Sequence, residues 1–387
     1  MSNFNNIDNL DDAEDSGVVQ IGPRSDHYDG DLASTLPLMN SQSETDDGRF
    51  SEAPKEDLLQ DMVSSSVENL ALPQSSTGGV ENPKGTRYAH IRRAMILDDL
   101  LNVFMDKSVM DFELKMEFND EMVVDNSGVS RKVYTAFWEQ FLELCEGEEE
   151  RVPKLRTDFS EDRWHALGRI WAKGLIDHGI IPVRLSKAFI VASLLGLPSV
   201  EEEVLMSSFA RYLSNSERIT IEKALDGVLG EDEEENLLDL FSWMGAHSIP
   251  SQENIRPAIQ IMAHKAILQE PKYIIDCFSK TLKDVALNLP DTADVLSLYE
   301  SKKATNKNVA DMLQTDALYL SQKEQTTFNY LQRYIKNADQ HKLEKFLRFC
   351  TGSFVLCTEQ IKVTFNAETC FGRRPVAHTC GAIVDVP

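Results

Sequence analysis

The sequence predicts an α+β chain, mostly helical, carried behind an acidic N-terminal tail. Three observations predict it. From Tyr88 onward apolar residues recur at helical spacing over most of the chain. An alternating apolar and polar run appears early in that region and short β-like runs appear near its end, so the strands are few and segregated. The first 85 residues hold 17 Asp and Glu against 4 Lys and Arg, with no sustained period, and cannot bury enough apolar surface to offset their ordering entropy. Residues 1–87 are therefore read as a disordered acidic region. Within it, Val18-Val19-Gln20-Ile21 behind Asp11, Asp12, Glu14 and Asp15 has the pattern of a strand that adds to a partner's sheet edge.

The elements follow in order. Ile91 to Leu101 reads as a helix, and Phe112 to Phe118 alternates like a strand. Asp125 to Gly128 supplies turn chemistry before a helix from Ser130 to Cys145, with Val133, Phe137, Trp138 and Phe141 on its apolar face. Another helix starts near Ser160. Asp158 with Glu161 is its expected capping box, Trp164, Leu167, Gly168, Trp171 and Leu175 form its stripe, and Gly179 and Pro182 mark its end. Residues 200 to about 300 are helical in pattern, interrupted by an acidic run, Glu231 to Glu235, expected to be a solvated loop. Ser301 to Asn308 is polar and flexible in character and is expected to separate two parts of the fold. Helices follow around Thr326–Asn337 and His341–Cys350. The β-like runs after them are Ser353–Leu356, Ile361–Phe365 and Ala382–Val386.

Charge and apolar content exclude some classes of function. A formal charge of −24 opposes generic nucleic-acid binding and suits a basic partner, although solubility alone explains it equally well. No run reaches the roughly 18 apolar residues a membrane span needs, and Ala188 to Leu195 reads as a core element. The N-terminus lacks the basic and apolar regions of a secretory signal, which leaves the cytoplasm or nucleus.

Among residues with reactive chemistry, no Gly-rich phosphate loop, HExxH or GxSxG is present. Cys350, Cys357, Cys370 and Cys380 gather near the end with His378, but spacings of 7, 13 and 10 residues are unlike the paired knuckles of structural zinc, so no metal or other cofactor is expected. Cys380 is the candidate nucleophile. Thr379 can donate a hydrogen bond, His378, Arg373 and Arg374 can place positive charge near a thiolate, and Gly381 leaves one side of the sulfur open.

The segment Lys345-Phe-Leu-Arg-Phe-Cys-Thr351-Gly352-Ser353, followed by Pro375-Val-Ala-His378-Thr379-Cys380, resembles the "FLxFxTGS" and "AHTC" elements of the catalytic lobe of HECT-type ubiquitin ligases. Upstream, Phe118 to Arg131 is similar to that family's "FxxExxxDxxGxxR" segment, and Gly168 to Pro182 to its "GrilalAixhgxpl" helix. The order of the segments also agrees, and the general texture is nearest to HECT proteins of fish genomes.

The resemblance implies a bilobal HECT domain, with a mostly helical larger N-lobe over 88–300 and a smaller α/β C-lobe. A hinge is implied over 301–322 and the catalytic C-lobe core over 323–387. It further implies a transferase that takes ubiquitin from a ubiquitin-conjugating enzyme as a thioester on Cys380 and passes it to a lysine of a protein substrate. His378 and Thr379 would shape the loop. Asp385, at the acidic position of the family's "LDLP", would orient or deprotonate the incoming lysine. The conjugating enzyme would dock within Leu195–Glu300, where Phe241, Trp243 and Met244 are apolar candidates. Two departures bear on ligation. The family carries an aromatic and an Asn after the cysteine where this chain has Gly381 and Ala382. Family members also continue past the position of Pro387, so loading of ubiquitin is expected to exceed its discharge. A HECT-like pseudoenzyme that binds ubiquitin or a conjugating enzyme without efficient ligation is the alternative, and an acidic scaffold is the remote one.

Overall fold

Two hydrophobic cores divide the described chain, and the break between them falls between Tyr299 and Ala304. The computed structural model describes residues 85–119, 126–243, 245, 250–317, 319–366 and 374–386, all within one compact unit, Gly78–Pro387. The Val18–Ile21 strand proposal lies outside the described residues.

The first core is built by β1 (Thr86–Ile91), α1 (Ile96–Met105), β2 (Glu113–Phe118) and α2 (Asn126–Leu142). The short antiparallel pair β3 (Cys145–Glu146) and β4 (Val152–Pro153) leads to α3 (Glu161–His178) and α4 (Lys187–Leu195). Then come α5 (Glu202–Tyr212), α6 (Asn215–Asp226), α7 (Glu231–Trp243), α8 (Gln252–His264), α9 (Lys272–Thr281), α10 (Lys283–Ala286) and α11 (Thr292–Lys302). The apolar faces anticipated for α2 and α3 are buried, and α4 carries seven buried residues in a row, as a core helix should. At Gly168 an added Cβ would overlap the Thr281 hydroxyl, so glycine permits the close approach of α3 and α9.

Several expectations change here. Ile91 ends a strand instead of starting a helix. Ala89 and Ile91 alternate inward, and β1 pairs in parallel with β2, so a non-local partner decides the conformation. The cap of α3 is Ser160, whose hydroxyl accepts from the Arg163 amide at 3.4 Å, while the Asp158 carboxylate accepts from Arg156 at 2.8 and 2.9 Å. The acidic run 231–235 is the first turn of α7. Negative side chains complement the unpaired amides there, Glu233 accepts from the Gly230 amide, and it also pairs with Lys223.

The second core is built by α12 (Asn306–Asp311), β5 (Leu313–Gln314), α13 (Gln322–Lys336), α14 (Gln340–Thr351), β6 (Ile361–Phe365), β7 (Val376–His378) and β8 (Ile383–Val386). The four-stranded sheet runs β5-β6-β8-β7, with β7 antiparallel to β8 and the other neighbours parallel. The polar stretch 301–308 is not a free connector, because it contains the end of α11 and the start of α12, and Ala304, Val309 and Ala310 are buried in the second core. Ser353–Leu356 is not a strand. Phe354 and Val355 leave the end of α14 and insert into the first core, and the Leu356 amide donates to the Lys302 carbonyl at 3.0 Å. Among the described residues, no helix is long and apolar enough to cross a membrane.

Candidate functional site

The candidate nucleophile sits on the turn of a hairpin. In β7 and β8, Val376 faces Asp385, Ala377 faces Val384, and His378 faces Ile383, leaving Thr379 to Ala382 as the connection. The Gly381 amide donates to the His378 carbonyl at 3.2 Å, closing a tight turn around Cys380. Thr379 is buried, whereas His378, Cys380 and Gly381 are exposed. Ala382 is buried and left-handed, at φ 49°, an unusual conformation for a residue with a Cβ.

Exposure separates Cys380 from the other described thiols. Cys145, Cys277 and Cys350 are buried, and burial pushes their thiols up, that of Cys350 to about 12. Burial also raises the half-buried Cys357, against the opposing field of Arg131. A thiol held protonated is a poor nucleophile, so among the described cysteines the exposed Cys380 is the candidate for reaction at neutral pH. Cys370, Phe371 to Arg373 and Pro387 lie outside the described residues, and Arg374 is exposed.

The turn is held from the side of the first core by Arg131, the last residue of the Phe118 to Arg131 segment and not one of the site residues expected from the sequence. Arg131 is buried, and its Nε donates to the Thr351 carbonyl at 2.8 Å. One terminal nitrogen donates to the Thr379 carbonyl in a short contact and reaches the Cys380 carbonyl at 3.3 Å. A single guanidinium on α2 thus joins the end of α14 to the turn bearing the thiol. The approach is close: Gly352 caps α14 at φ 83°, and a Cβ there would stand 3.1 Å from the Gly128 carbonyl. Three of the segments quoted from the sequence therefore meet at one place. Cross-strand pairing carries no hint of this link, and a signal existed only in Arg131's place within the first segment.

Asp385 is half-buried on β8, two residues beyond the turn-flanking Ile383. Its carboxylate accepts from Thr364 Oγ1 at 3.2 Å and Asn366 Nδ2 at 3.0 Å, which fix its orientation on the sheet. Phe241 is buried and Trp243 is 57% exposed, with Lys154 Nζ 5.8 Å from its ring centroid; Met244 lies outside the described residues. Of the cysteines considered for zinc, Cys350 is in the second core and Cys357 packs on the first. Among the described residues, Glu161, His165 and Cys277 form a group of three whose ligand atoms approach one another. Lys280 Nζ stands 3.3 Å from the Glu161 carboxylate, so a cation already occupies that charge.

A search for relatives among curated proteins finds no match. The HECT-domain (ubiquitin-transferase) family model matches residues 115–387, a span that takes in Arg131, the α14 cap and the Cys380 turn. With that match over more than half of its length, the chain belongs to the HECT-domain, ubiquitin-transferase family.

Proposed function

We propose that this chain accepts ubiquitin as a thioester on Cys380 from a conjugating enzyme and passes it to a lysine of a protein substrate. The observation that carries the reading is the single exposed thiol among the described cysteines, on a turn clamped by Arg131 from the other core. In the first step the Cys380 thiolate attacks the carbonyl of ubiquitin's thioester on the conjugating enzyme. A carbon–sulfur bond forms at Cys380, the conjugating enzyme's thiolate leaves, and the proton lost from Cys380 passes to solvent. One sulfur ester replaces another, so the protein's contribution is placement and stabilisation of the tetrahedral oxyanion. In the second step a neutral lysine amine attacks the Cys380 thioester, an isopeptide bond forms, the proton left on the attacking nitrogen passes to solvent and the Cys380 thiolate departs. The lysine is cationic in solution and must first lose a proton. We assign Asp385 to orienting it and His378 and Thr379 to shaping the turn.

The first core corresponds in this reading to the N-lobe and the second to the C-lobe, with the lobe boundary at 300–304 and α12 belonging to the C-lobe. The conjugating enzyme docks on the helices between Leu195 and Glu300. Trp243 supports that placement, because it is exposed beside a cleft of about 300 Å³ lined by Ser216, Thr220, Asn236 and Leu240.

The test is an assay with activating enzyme, a panel of conjugating enzymes and ubiquitin. A reducing-agent-sensitive adduct should form on the chain, vanish in Cys380→Ala, and persist in Cys350→Ala and Cys357→Ala. No adduct with any conjugating enzyme would overturn the reading. An adduct that never yields lysine-linked product would assign the chain to loading without ligation.

A further inference from the structure

Beside the turn, the structure forms a cleft of about 510 Å³ lined by Arg93, Lys132, Lys345, Arg348, Phe349, Ala377 and Thr379. Four basic side chains gather there in a chain whose formal charge is −24, and one of them, Arg348, is already paired with a carboxylate. They come from separated places in the sequence: Arg93 follows β1, Lys132 lies on α2 next to the clamp Arg131, and Lys345 and Arg348 lie on α14. Residues 345, 348 and 349 are spaced i, i+3 and i+4, so they share one helical face. Arg348 pairs with Glu139 of α2 at 2.5 Å, and Arg93 stacks over the Phe118 ring at 3.9 Å, which fixes two of the heads in place. Phe349, 44% exposed, adds an apolar surface among them. The remaining wall is the hairpin itself, at Ala377 and Thr379, and Thr379 precedes the thiol-bearing residue.

We propose that this cleft selects the acceptor, favouring polypeptide segments in which Asp or Glu residues flank the lysine to be modified. The proposal rests on the ligation reading above and names its substrate class. Charge complementarity carries it. Screening confines each charge's reach to about 10 Å at 0.1 M salt. Glu139 offsets the charge of Arg348 within that range, so a ligand in the cleft is attracted chiefly by Lys132 and Lys345. A short acidic segment matches that size. A long nucleic acid would extend beyond the cleft onto the acidic surface of the chain, where its phosphates are repelled. An acidic segment seated there brings its lysine to the turn, and the thioester then undergoes the aminolysis already described.

The experiment uses the full chain carrying ubiquitin on Cys380 and chases it with three peptides of equal length. Each contains one lysine, flanked by Glu, by Gln or by Arg. Rates are referred to the fraction of Cys380 loaded, so a loading defect does not read as acceptor preference. Two or three charge contacts of ordinary strength predict that the Glu peptide is about tenfold faster than the Gln peptide, with the Arg peptide slowest. The order should collapse at about 0.5 M salt, and also in a Lys132→Glu, Lys345→Glu double variant. Equal rates for the three peptides on loaded protein, or an order unchanged in the double variant, would overturn the proposal. If Cys380 never loads, the ligation reading fails, and fluorescence anisotropy of the same peptides decides the cleft: preferential, salt-sensitive binding of the Glu peptide supports it. Tighter binding of a short oligonucleotide than of the Glu peptide overturns it.

Discussion

The two cores differ in what they rest on. The first buries three tryptophans, Trp138, Trp164 and Trp171, in continuous helical stripes, and takes Phe354 and Val355 from the segment after α14. The second is built from twelve buried residues, mostly aliphatic, and the hairpin that carries Cys380 stands on its edge. So small a core supplies little stability by itself. It is tied to the larger one by Phe354 and Val355, by the Arg348–Glu139 pair and by Arg131. The exposed surface pair adds little. The buried guanidinium adds more, because its partners are backbone carbonyls that would otherwise lack a donor. The candidate chemistry is thus carried by the weaker region and positioned by the stronger one.

Breaking that dependence should give the largest effect. Arg131→Ala removes the donor shared by the Thr351 and Thr379 carbonyls and should cost about 2–4 kcal/mol in urea unfolding. It should also slow ubiquitin loading of Cys380 by roughly 100-fold, since a small displacement of a reacting group carries a penalty of that order. Arg131→Lys keeps the charge but lacks the fork that spans both carbonyls. Stability near that of the native chain, combined with slow single-turnover loading, would identify Arg131 as a positioning residue. Recovery of both properties by lysine would reduce it to a buried cation.

How much of this was legible in the sequence follows the same divide. The stripes of α2 and α3 were readable because their apolar residues recur at the helical period, and Cys380 was readable from its neighbours. β1 was not, because its conformation is set by a parallel partner more than 20 residues away. β7 escaped notice because a three-residue, largely exposed strand has no apolar alternation. Phe354 and Val355 looked like a strand because β-branched and aromatic residues serve equally to anchor an irregular segment in a core. The Arg131 clamp joins groups 248 positions apart through carbonyl oxygens, which every residue possesses, so no side-chain pattern marks the acceptors.

The link between cores can be sharpened through His178. Burial, with the nearby charges of Arg131 and Lys173, pushes its imidazole down to about 4 from an ordinary 6.5. A folded value below the unfolded one means that the unfolded chain binds the extra proton between pH 6.5 and 4. Stability from this group is therefore complete above pH 6.5 and declines as pH falls toward 4, by about 2 kcal/mol between pH 7 and 5. Urea midpoints at those two pH values should differ less in His178→Gln than in the native chain. In Arg131→Gln one repelling cation is gone, so the dependence should also weaken. An unchanged pH slope in both variants would separate His178 from the clamp.

The smallest expected effect lies on the turn itself. Ala382 holds φ 49°, where a Cβ costs about 1–2 kcal/mol, and its carbonyl accepts from the Lys362 amide at 2.9 Å. That hydrogen bond ties the turn to β6, so the conformation is imposed by the sheet and not chosen by the residue. Ala382→Gly relieves the strain, but it surrenders about 0.8 kcal/mol of buried methyl and gains unfolded-state entropy. The balance should be a stabilisation of about 0.5 kcal/mol at most. Ala382→Asn, the residue carried there by the resembled family pattern, tolerates the left-handed region and should also relieve strain, whereas β-branched Ala382→Val should destabilise by more than about 1 kcal/mol. Thermal unfolding of the three variants checks the order Gly and Asn above native above Val. If valine matches the native chain, the turn is free to relax, and the hairpin depends on the first core less than its contacts indicate.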